Sequence, residues 1–162
     1  MKIGVLSDTH GYIGNDMLET LRCCQEIWHI GDVGSLDVLS QLRDIGELRV
    51  VYGNIDGRDI RGYAPEFLVF DIEGLRIVML HIGGYPGRYT SRAKELILQH
   101  QPNIFLSGHS HILKIMPDRI HDLLHINPGA AGKSGFHTVR TMVQFDIIDY
   151  KVLNMQVVEF DK

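Results

Sequence analysis

Three apolar runs dominate the first third of the chain: KIGVLS (2–7), EIWHI (26–30) and ELRVVYG (47–53). Two helical patterns separate them. In NDMLETLRCC (15–24), Met17, Leu18, Leu21 and Cys24 recur on one helical face. In SLDVLSQLRDI (35–45), Leu36, Leu39 and Leu42 point inward and Ser35 is placed to cap the helix. This β-α-β-α-β order constrains the fold more than any other feature, because parallel strands need long crossovers and helices that cover them. It also sets a loop at the carboxyl end of each strand, where open α/β sheets gather their ligands.

The second half changes character. EFLVFDIEGLRIVMLH (66–81) reads as a hairpin turning at EG, and TSRAKELILQH (90–100) as a helix with Ala93, Leu96 and Ile97 inward. NIFLS (103–107) is a further strand, and ILKIM, DLLHI, TVRTMVQFDII and VLNMQVVEF follow as strands without helices between them. A single doubly wound sheet does not suit so many late strands. The pattern predicts an α/β protein with two sheets, one mainly parallel, the other more antiparallel and C-terminal, with helices outside. A length of 162 residues, 44% hydrophobic, suits one domain spanning 1–162 with one core.

Composition excludes several classes. No apolar run reaches the length of a membrane span. The net charge of −4, with no basic cluster, gives no broad face for nucleic acid. The opening MKIGVLSDTH runs straight into a strand without a signal-peptide pattern, which predicts a cytoplasmic protein. Cys23 and Cys24 are adjacent and read as buried helix residues, not as a disulfide frame. The oligomeric state is left open, a homo-oligomer included.

The polar residues just past the strands carry the chemistry. SDTHG brings Asp8 and His10, GDVG brings Asp32, and GNIDG brings Asn54 and Asp56. LHIGG brings His81, and GHSH brings His109 and His111. In an extended segment residues i and i+2 point the same way, so the last two histidines converge. Taken singly, each motif is turn chemistry. Together they share one place in the topology. Oxygen and nitrogen ligands without a thiolate suit borderline divalent ions. Asp8, His10, Asp32, Asn54, His81, His109 and His111 are too many for one tetrahedral centre, and suit two centres sharing a bridging carboxylate.

In that order, D-x-H, GD, GN-x-D, H and GH-x-H resemble the calcineurin-like metallophosphoesterase superfamily. The short chain and immediate D-x-H resemble its small bacterial and archaeal phosphodiesterase branch, and INPGAAG (126–132) is similar to that branch's NPG segment. The resemblance implies a four-layer αββα β-sandwich, two mixed sheets flanked by helices. It also implies a ligand assignment. Asp8, His10 and His111 bind one metal; Asn54, His81 and His109 bind the other; Asp32 bridges them. The ions expected are two divalent metals per chain, manganese first, with zinc, iron(II), nickel or magnesium as alternatives.

The implied activity is hydrolysis of a small phosphoester, foremost a phosphodiester, by a hydroxide that bridges the metals and attacks phosphorus in line. Two divalent ions, two carboxylates and one hydroxide leave a net charge of about +1, the sign a phosphate needs. Asn54 and Asp56 are the expected catalytic side chains, Asn54 also donating to a phosphoryl oxygen. Two departures from the family pattern stand out. Ile55 occupies the place where many members carry a histidine that assists the leaving group, and Gly83 stands where the branch commonly completes H-G-H. General acid help is worth roughly 10²–10⁴-fold. The loop GGYPGRYTSR offers Arg88 to grip a phosphate, and Tyr85 or Tyr89 to line the entrance. His29 reads as a packed histidine, His100 as a helix-end cation, and His121 and His125 as strand residues outside the set. His137 is the best remaining candidate for a contact near the site. The alternatives are a phosphomonoesterase of the same fold, or an interaction scaffold, since the resemblance extends to a eukaryotic retromer subunit.

Overall fold

The computed structural model describes residues 1–162. The strands are β1 (Lys2–Leu6), β2 (Glu26–His29), β3 (Glu47–Val50), β4 (Phe67–Ile72), β5 (Leu75–Leu80), β6 (Ile104–Leu106), β7 (Lys114–Asp118), β8 (Leu123–Asn127), β9 (Val139–Ile148) and β10 (Lys151–Asp161). The helices are α1 (Asn15–Leu21), α2 (Leu36–Arg43), α3 (Arg58–Arg61) and α4 (Ser91–His100). The sheets run β10-β9-β1-β2-β3 and β4-β5-β6-β8-β7. Their inner faces meet in one apolar layer that includes Ile3, Val5, Trp28, Ile77, Met79, Ile126, Val143 and Phe145. Helices α1 and α2 pack Met17, Leu21, Val38, Leu39 and Leu42 on the outside of the first sheet, with Ile60 of α3. Helix α4 packs Ala93, Leu96 and Ile97 on the outside of the second. The result is the expected four-layer αββα sandwich.

Each sheet is mixed. The strands β1, β2 and β3 pair in parallel, but β9 pairs antiparallel with β1 and carries β10 as the edge. The late strands therefore do not make one antiparallel C-terminal sheet. The reason is visible in β9. Val143, Phe145 and Ile147 face the sandwich while Met142 faces the helices, so the strand is buried on both sides. Arg140 and Gln144 tie it to α1, through Asp16 at 2.6 Å and the Thr20 carbonyl at 3.0 Å. Close helix packing is written into β1 as well: a Cβ on Gly4 would collide with Leu21 and sit 3.1 Å from the Cys24 sulfur.

Three local expectations change. Helix α1 ends at Leu21, so Cys23 lies exposed beyond it and only Cys24 is buried. Leu36 opens α2 in its first turn and is 49% exposed; Val38 takes the inward place. Ser35 does cap α2, accepting from Val38 N, and Thr90 caps α4 by accepting from Ala93 N. The short α3 after GNIDG is a single turn, with no periodic pattern in the sequence to mark it.

Candidate metal centre

Loops from both sheets interlock at one end of the sandwich. Asp8 N donates to the Gly31 carbonyl at 3.0 Å, and His10 N to the Asp32 carbonyl at 3.0 Å. Gly108 N donates to the His81 carbonyl at 2.9 Å, joining the second sheet's loops. Small residues permit this approach. A Cβ on Gly31 would lie 2.8 Å from His81 Nδ1, and one on Gly108 3.0 Å from Asp8 Oδ2.

Asp8, His10, Asp32, His109 and His111 all adopt positive φ, between 48° and 67°. Non-glycine residues rarely do so, and such strain gathers at functional sites. It also corrects the reason for the histidine pair's convergence. His109 and His111 lie past β6 in a bend, both left-handed, so strand alternation does not aim them. The bend sends them to different clusters.

The side chains form two groups whose ligand atoms lie within 4.8 Å of one another: Asp8, His10 and His111, then Asp32, His81 and His109. In the first, His111 Nε2 is 3.2 Å from Asp8 Oδ1 and 3.3 Å from His10 Nε2. In the second, His81 Nε2 is 3.2 Å from Asp32 Oδ1 and 3.2 Å from Asn54 Oδ1. Asp32 faces both groups, because its Oδ2 is 3.6 Å from His10 Nε2. All seven expected ligands therefore gather, Asn54 beside the second group.

The donor set fits divalent ions. Asp8 Oδ1 is buried without a hydrogen-bond partner, although it faces His10, His111 and His81. His81 Nδ1 lies 2.7 Å from the Ile30 carbonyl, which fixes an N–H there and turns Nε2 toward Asp32 and Asn54. Burial opposes ionisation of Asp8, but the neighbouring imidazoles of His10, at 3.8 Å, and His111, at 3.2 Å, outweigh it and hold the carboxyl well below the usual range. Burial likewise opposes ionisation of Asp32, and His81 overcomes it. Both carboxylates are thus anions, the form a metal requires.

Asp56 does not enter either group. It is buried and accepts from Val33 N at 3.1 Å, Gly34 N at 2.8 Å and Gly53 N at 2.8 Å. It holds the loop of Asp32 against the loop of Asn54. Arg88 is exposed and lines none of the cavities. Instead Arg61 of α3 stands beside the site, its Nε donating to the Asp56 carbonyl at 2.6 Å, and with Asn54 and His81 it lines a cavity. Nothing in the sequence marks Arg61, since its helix is one turn long. Tyr89 is buried against Phe105, while Tyr85 lines a second cavity.

His29 is fully buried. Its Nδ1 accepts from Gly31 N, so Nε2 donates to Thr9 Oγ1, which donates to the Val33 carbonyl. It is a packed histidine that also braces the loops. His137 reaches the site as expected: its ring centroid is 5.4 Å from that of His111, and Nε2 bonds the Gly132 carbonyl at 2.8 Å.

Comparison with known proteins agrees with this geometry. The family model of the calcineurin-like phosphoesterase superfamily domain matches residues 1–149. A probable metallophosphoesterase of Methanothermobacter thermautotrophicus is 32% identical over 135 residues, covering 80% of this chain and 77% of its own. A phosphodiesterase of Methanocaldococcus jannaschii is 27% identical over 150 residues, covering 80% of this chain and 83% of its own. Among solved structures, Vps29 of Entamoeba histolytica complexed with zinc aligns at TM-score 0.77 and 20% identity over 99% of each chain. A Thermotoga maritima protein aligns at TM-score 0.74 and 21% identity, over 98% of this chain and 99% of that one. These two likenesses show the shared fold. With the ordered motifs gathered at one end of that fold and the family pattern running through nearly the whole sequence, the chain belongs to the calcineurin-like phosphoesterase superfamily.

Proposed function

We propose that the chain is a two-metal phosphodiesterase, with manganese as the first choice of ion. The observation that carries this reading is Asp32, whose two carboxylate oxygens face two separate ligand groups. Asp8, His10 and His111 would hold one ion, and Asn54, His81 and His109 the other. Bound there, the ions would neutralise phosphate charge and supply a nucleophile from water at neutral pH. The chain's own residues set the geometry. Asp32 and Asp8 provide the anionic charge, and the Ile30 carbonyl orients His81. Asp56 fixes the spacing between Asp32 and Asn54. Asn54 is exposed at the mouth of the site, where its amide can reach a phosphoryl oxygen.

The phosphodiesterase among the relatives supports the diester reading over the monoester one. Ile55, exposed and apolar, offers no proton to a leaving group, which favours esters of acidic alcohols and phenols. Hydrolysis of bis(p-nitrophenyl) phosphate and p-nitrophenyl phosphate by manganese-loaded protein tests both points. Turnover of the diester above the monoester is expected, and no turnover with any metal overturns the proposal.

A second reading, an interaction scaffold, has its own observation. Ile82, Ile112 and Phe136 stand exposed beside the ligand residues, and the Vps29 chains share the fold. Metal content separates the two readings: two ions per chain after manganese loading favours the enzyme, and fewer favours the scaffold.

A further inference from the structure

A cavity of about 340 Å³ opens beside His109, between the loop 82–90 and the outer face of β7 and β8. That volume is within the range of small-ligand sites. Its loop side is bare backbone at Gly83 and Gly84. Its other side carries Lys114 from β7, and His125 and Asn127 from β8.

His125 is the unusual group. It is fully buried, lines the cavity, and neither ring nitrogen has a partner in the protein. Phe105 stacks on it at 6.1 Å between centroids and Tyr89 meets it edge-on at 5.9 Å, so the ring is held in place. Asn127 is different: its amide already donates to the Gly108 carbonyl and Ser110 Oγ, and its Oδ1 accepts from Gly129 N. A buried polar group without partners costs about 1–3 kcal/mol, and a native structure that carries one calls for a ligand or water to complete it. Burial pushes the His125 pKa down to about 4, so at neutral pH the ring offers one donor and one acceptor. A ligand hydroxyl or amide can pair with one of these nitrogens, as donor or as acceptor; a hydrocarbon pairs with neither. At the same cavity the Lys114 ammonium lies 3.7 Å from the centre of the Tyr85 ring, adding a cation for an oxygen-rich group.

We infer that this cavity is the subsite for one organic arm of the phosphoester, an arm of nucleoside size that bears hydroxyl or amide groups. The inference rests on the phosphoesterase reading and narrows its substrate class. His125 reads the arm's polar edge at the floor, and Lys114 with Tyr85 closes the outer end.

The test compares two esters, the p-nitrophenyl ester of thymidylate and bis(p-nitrophenyl) phosphate, in manganese-loaded wild type, His125→Phe and Lys114→Met. The expected result is a fall of about tenfold in the ratio of kcat/KM between thymidylate ester and bis ester, borne mainly by KM. An unchanged ratio in Lys114→Met overturns the inference, even where His125→Phe fails to fold. A parallel titration of zinc-loaded protein with thymidylate follows the His125 ring protons by NMR, assigned from the spectrum of the variant. A shift supports the subsite, and binding without a shift overturns it. Loss of turnover on both esters at every metal would sink the phosphoesterase reading. The titration then decides the subsite alone, an unmoved His125 signal counting against it.

Discussion

Asp56 separates a positioning role from a chemical one. Its carboxylate accepts three backbone N–H groups, two from the loop after β2 and one from the loop after β3. Hydrogen bonds to a charged acceptor contribute about 1.5–3 kcal/mol each, and three that share one carboxylate do not simply add. For Asp56→Ala we expect a loss of about 4 kcal/mol, since the orphaned amides of Val33 and Gly53 are buried. For Asp56→Asn we expect about 2 kcal/mol, because the new amide sets a donor against a donor. Urea unfolding of the metal-free protein at neutral pH measures both. Metal affinity should fall about 10–100-fold as Asp32 and Asn54 lose their spacing. A loss below about 1 kcal/mol in Asp56→Ala, together with abolished turnover and intact metal content, would refute this account and give Asp56 a direct chemical role.

Other outcomes follow from the same structure. His125 has a folded pKa depressed to about 4 against an ordinary 6.5, so the unfolded chain binds the extra proton first. Its contribution is fully present above the unfolded value and is lost as pH falls from 6.5 toward about 4. Between pH 7 and 5 this amounts to about 2 kcal/mol, and His125→Phe should flatten the stability profile by that amount in urea titrations at the two pH values. Ile55→His restores a proton donor at a side chain that is 47% exposed, and turnover of bis(p-nitrophenyl) phosphate should rise about tenfold or more. Gly83→His should gain nothing: its Cβ would meet Phe105 and Ser107 at 2.8 Å, and thermal melts should show a loss of about 1–3 kcal/mol.

The strand ends were legible because glycine and metal-capable residues recur there in a fixed order. Each of the seven candidate ligands lies in a short loop whose position the apolar runs define, and the loops meet at one end of the sandwich. What the sequence concealed was backbone conformation and distant pairing. The positive φ of His109 and His111, which splits them between two groups, leaves no periodic signal. The return of β9 to β1 spans most of the chain, and only its burial on both faces explains it. Asp56 stands out by its motif, but two of its three partners are amides 22 and 23 residues away. Arg61 is hidden in one turn of helix, and Arg88, the arginine the loop suggests, is exposed and lines none of the cavities.

The most direct test of two ions shared by Asp32 is anomalous diffraction at the manganese edge from a manganese-soaked crystal. Two peaks are expected, one among Asp8, His10 and His111, the other among Asn54, His81 and His109, with Asp32 between them. A single peak, or density away from Asp32, would contradict it.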